Sequence, residues 1–127
     1  MSKYFVVMLG GALGAVSRFV VGTLVLRLYA AAFPLGTFVV NITGSFLIGL
    51  LMTLFLNRPA FHANWRLFLV TGILGGYTTF SSFEWEALSS IRSGAEAIGF
   101  LYVGLSVIVG LGGAWLGLLL ANRLWPH

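Results

Sequence analysis

GGYTTFSSF, residues 75–83, sets two glycines, two threonines, two serines and two phenylalanines side by side in an otherwise apolar chain. The stretch is too polar to face lipid as a helix and too apolar for an exposed loop. Gly75-Gly76 followed by β-branched Thr78-Thr79 makes a poor helix interior. A helix containing this stretch is expected to break within it, and what kind of helix that is follows from its flanks.

The flanks are those of a membrane protein. Of 127 residues, 59% are hydrophobic and only 8% are charged, against about 25% in soluble domains. Four apolar stretches, at roughly 4–26, 37–56, 67–88 and 98–121, each approach the ~20 residues needed to cross the hydrocarbon core. They predict an all-α integral membrane fold, a single four-helix transmembrane domain over 1–127 with its third helix broken in mid-membrane. Lys3 before the first stretch resembles the start of a signal peptide. That stretch is about twice the usual apolar length, however, and Arg18 interrupts it, so it reads as a span. Tyr4, Trp65 and Trp125 fall near the ends of spans, as interfacial aromatics do.

An even number of spans puts both termini on one side, with Lys3, Arg58, Arg66 and Arg123, against Arg27 and Arg92 on the other. Four minus two is a weak bias for a rule that depends on cationic asymmetry. Four short helices also make a thin bundle, and the chain shows no internal repeat. Two copies inserted in opposite directions would supply the inverted symmetry that many transporters carry within one chain. The expectation is an antiparallel, dual-topology homodimer.

Other classes are disfavoured. The net charge of +4 comes from cations scattered singly, so no basic stripe follows a nucleic-acid backbone. The absence of cysteine excludes disulfides and thiolate sites. His62 lies in a connection and His127 is the last residue, neither with an evident catalytic partner, so no enzymatic activity is expected. A small dual-topology antiporter for multidrug or other cations would need a membrane-embedded carboxylate, but there is no Asp and no Glu before residue 84. A non-transporting membrane subunit would account for glycine packing faces and leave the polar residues of the spans unexplained.

Gly10 and Gly14, and Gly113 and Gly117, have the four-residue spacing of closely packed helix faces; Gly112-Gly113 would also allow bending. Thr37, Asn41 and Ser45 fall along one face of the second span, and Tyr102 and Ser106 along one face of the fourth. The two stripes either hydrogen-bond to each other or line a polar path. Arg18, inside the first span, either snorkels or draws anions to a pore mouth. A broken third span would free backbone carbonyls at 75–79 for a cation. Phe80 and Phe83, three apart, would share a side, where aromatic rings usually pack; their positive edges can also face an anion.

These residues carry a resemblance over essentially the whole chain. GGALGAVSRF at 10–19, GTFVVNITGSFLIG at 36–49, TGILGGYTTFSSF at 71–83 and the Tyr102/Ser106 spacing resemble the Fluc (CrcB) family of small bacterial fluoride channels. The resemblance implies an antiparallel homodimer with two pores in the bacterial inner membrane, exporting fluoride passively and so conferring fluoride resistance. It implies that Phe80, Phe83, Asn41, Tyr102 and Ser106 line the fluoride pore. It also implies a structural sodium ion at the dimer axis, held by the carbonyls of Gly75 and Thr78 from both subunits. Arg18 and Glu86 match a first-helix arginine and the acidic residue that follows the phenylalanines. Two positions depart from the family: Gly110 stands where some members continue the polar track with serine, and Glu84 where a small residue is expected. Glu84 would slow anion entry or pair with an arginine such as Arg92.

Overall fold

In a computed structural model, which describes residues 2–57 and 63–125, the regular secondary structure of the described residues is helical throughout. Arg58, His62 and His127 lie outside the described residues. Helix α1 runs Lys3–Leu28 and α2 runs Leu35–Asn57, entered through Pro34, whose fixed φ and missing N–H suit a helix start. A short α3 (Ala63–Arg66) leads into a π-helical stretch (Leu67–Leu74), and α4 (Gly75–Tyr77) follows directly. After two extended residues come α5 (Phe80–Arg92), a turn with Gly94 at φ 86, and α6 (Glu96–Leu124).

Helices α1, α2 and α6 are each long and apolar enough to cross a membrane. The third passage is made in pieces and contains the expected break, although not at the glycines. Gly75 is helical at φ −63, ψ −35, whereas Thr78 (φ −76, ψ 154) and Thr79 (φ −146, ψ 113) are extended. β-branched residues favour that region. Gly76 instead serves packing, since a Cβ there would run into Gly11 O of α1. The wide π-helical turns before Gly75 carry no signal that helical periodicity reveals.

Glycine contacts set how the helices approach. A Cβ on Gly14 would collide with Ile73 O, and one on Gly10 would lie 2.9 Å from Gly72 Cα, so α1 lies backbone to backbone on the π-helical stretch. Between α2 and α6, Gly117 meets Phe46 O and Gly49 meets Ala114 O equally closely. Gly113 is less confined and Gly112 faces open space, and α6 runs through both as one helix. Asn57 ties the far ends together, donating from Nδ2 to Asn122 Oδ1 (3.1 Å) and to Trp125 O (3.2 Å).

Candidate functional site

The break is held from two sides. Asn41 on α2 donates from Nδ2 to Thr79 O (3.0 Å) and accepts from Thr79 N at Oδ1 (2.8 Å). From α1, Arg18 Nη1 donates to Thr78 O (3.2 Å). In a continuous helix Thr79 N would close on Gly75 O, so its diversion to Asn41 releases the Gly75 carbonyl. Thr79 also restarts the chain: as N-cap of α5 its Oγ1 accepts from Ser82 N (3.3 Å) and donates to Ser82 Oγ (3.0 Å). Thr79, a preferred N-cap residue directly before the restarting helix, is a capping signal that helix-breaking propensity alone does not reveal.

Beside the break lies a cavity of about 440 Å³, walled by Asn41, Ser45, Thr79, Phe80, Phe83 and Ser106 among others. The Phe80 and Phe83 rings lie 5.8 Å apart, inclined at 45°. Their surroundings differ: Phe83 is buried (9% exposed), while Phe80 is 71% exposed on the single chain. Ser106 Oγ is buried and makes no hydrogen bond among the described residues. A second cavity of about 330 Å³ holds Arg18 and Thr37, and Thr79 borders both.

Tyr102 lies behind this wall. Its ring is fully buried, meeting Phe83 edge-on at 5.2 Å and Phe33 at 5.2 Å, and it does not line the larger cavity. Its hydroxyl donates to Glu86 Oε2 (2.9 Å) while Thr37 Oγ1 donates to Glu86 Oε1 (2.7 Å), so each carboxylate oxygen accepts one hydroxyl. The stripe on α2 therefore bonds at Thr37 and Asn41 to the third passage, and Tyr102 of α6 bonds to it as well. Mutual bonding of the two stripes, one of the two expectations, is replaced by convergence on the third passage. Glu84 is exposed and, among the described residues, makes no hydrogen bond or ion pair, with Arg92 or otherwise.

Comparison with known proteins finds related sequences over nearly the whole chain. The sequence model of the CrcB-like protein family, described as Camphor Resistance (CrcB), matches residues 5–118. A protein of Solibacter usitatus named fluoride-specific ion channel FluC is 50% identical over 121 residues, covering 95% of this chain and 99% of that one. Proteins with the same name from Agrobacterium fabrum and Acidobacterium capsulatum are 47% and 43% identical, covering 91% and 96% of this chain and 93% and 98% of theirs. These relatives are named as ion channels, not enzymes.

Proposed function

The chain belongs to the CrcB-like family, and from that premise we propose that it is a fluoride-selective channel of the bacterial inner membrane, exporting fluoride passively and conferring resistance to it. One observation carries the reading beyond family membership. The buried Ser106 hydroxyl, without a partner among the described residues, stands in the wall of the cavity that holds Phe80 and Phe83. A buried donor left unpaired is costly, and a small anion beside it would accept its hydrogen. Ring edges offer the same ion weak attraction without the tight binding of a full charge.

In this account Phe80, Phe83 and Ser106 face the ion. Asn41 holds the break with one N–H of Nδ2, which leaves the other for the cavity it lines. Tyr102 acts from behind, as the support of Phe83 and the partner of Glu86. Arg18, in the adjoining cavity, lends positive potential to its mouth. Such a channel conducts down the fluoride gradient without a titrating carboxylate, and Glu86 is already occupied by two hydroxyls.

The working unit is an antiparallel homodimer with two pores. The exposure of Phe80 at the break and the weak Lys/Arg asymmetry support it. The donors suit a central sodium ion: the Gly75 carbonyl is released by the break, and Thr78 O, which accepts from Arg18, keeps a second lone pair. Gly75 and Thr78 of both copies would hold it, and the ion would supply a fixed positive charge between the copies.

The test is fluoride efflux from liposomes containing the purified protein, followed with a fluoride electrode and with chloride as the comparison. Rapid, voltage-driven release of fluoride alone is expected. Verified, folded protein that releases no fluoride would refute the proposed function.

A further inference from the structure

One member of the α2 stripe has no role in the account so far. Ser45 lies one helical turn beyond Asn41 and lines the same cavity as Ser106. The other hydroxyls of α2 have partners: Thr43 Oγ1 donates to Val39 O (2.7 Å) and Thr53 Oγ1 to Gly49 O (2.7 Å) on the same helix, and Thr37 Oγ1 to Glu86 (2.7 Å). Ser45 makes no hydrogen bond among the described residues. Across the interface is Gly110, one turn beyond Ser106 and buried. A Cβ on Gly110 would stand 3.6 Å from Ser45 Oγ and 3.8 Å from Ile42 Cδ1. With no side chain at 110, Ser45 carries the hydroxyl at this contact between α2 and α6.

We propose that Ser45 contacts the conducted fluoride, supplying from α2 the hydroxyl that Gly110 cannot supply from α6. The inference rests on the fluoride reading of the same cavity. An ion leaving Ser106 then meets the next donor on the opposite helix, so the polar path crosses from α6 to α2. A small, strongly hydrated anion needs such a donor at each step, because every lost water must be replaced.

The test is fluoride efflux from liposomes by wild type, Ser45→Ala and Ser45→Ala/Gly110→Ser, each first shown to elute in detergent as wild type does. Removing the hydroxyl should slow efflux about tenfold. A hydroxyl returned at residue 110 has ordinary contact distances available to it, and should bring the rate back to within about threefold of wild type. A packing role would show no such recovery. If Ser45→Ala does not fold, Ser45→Cys, with nearly the same shape and a weaker donor, should show the same loss. Unchanged efflux in the folded variants, or no recovery in the double variant, overturns the inference. A wild type that passes no fluoride removes it together with the proposed function.

Discussion

Asn41 and Thr79 are joined by two hydrogen bonds, side-chain amide to main chain, of 3.0 and 2.8 Å. The pairing gives the broken third passage the donor and acceptor that helix would otherwise have supplied. Within a membrane, unpaired backbone groups cannot turn to water. The break and the asparagine are therefore one device.

Asn41→Ala should accordingly reach beyond the cavity wall. It leaves Thr79 N–H and C=O unpartnered together, which should cost about 2 kcal/mol or more of stability. Thermal unfolding of the purified protein in detergent measures this. A loss below about 0.5 kcal/mol, the range of an ordinary surface change, would show that the break stands without the asparagine.

The glycines separate by environment. Gly14→Ala pushes a methyl into Ile73 O, backbone with no flexible end to move aside, and should lower the melting temperature and reduce the yield of folded protein. Gly112→Ala meets open space in mid-helix and should be neutral or stabilising by up to about 1 kcal/mol. Parallel melting curves decide it; equal effects at the two sites would contradict the packing described.

Glu86 and Tyr102 should behave as a coupled pair. Glu86→Ala strands the Tyr102 and Thr37 hydroxyls, whereas Tyr102→Phe removes one donor and keeps the ring against Phe83. A double-mutant cycle on unfolding free energy should give a coupling of about 0.5–3 kcal/mol. Strict additivity would mean that the bond adds nothing to stability.

Removal of sodium tests the proposed central ion. Exchange into rigorously sodium-free buffer, with a bulky organic cation in its place, should lower both the melting temperature and fluoride efflux, and returning sodium should restore them. If neither changes, no structural sodium is present.

The sequence revealed the helical membrane fold and the broken third passage, because apolar length and runs of poor helix formers are local properties. The exact place of the break was less legible. Gly75-Gly76 looks like a hinge on helix propensity alone, yet close approach to α1 uses Gly76, and the extended backbone falls to Thr78-Thr79. Periodicity placed Thr37, Asn41 and Ser45 on one face but could not name their partners. Those lie 49 residues away for Thr37 and 38 for Asn41, a matter of tertiary packing. Tyr102 shows the same limit: its spacing from Ser106 suggests a shared lining, while Phe33 and Phe83 enclose its ring behind the wall.

The central claim is that fluoride passes the paired rings at the break. Its most direct test is fluoride efflux from liposomes by the Phe80→Ile and Phe83→Ile variants, in preparations first shown to be folded dimers. Isoleucine keeps the bulk and removes the positive ring edge. The account predicts that each variant loses about tenfold or more of the wild-type rate. Folded dimers conducting at the wild-type rate would contradict it.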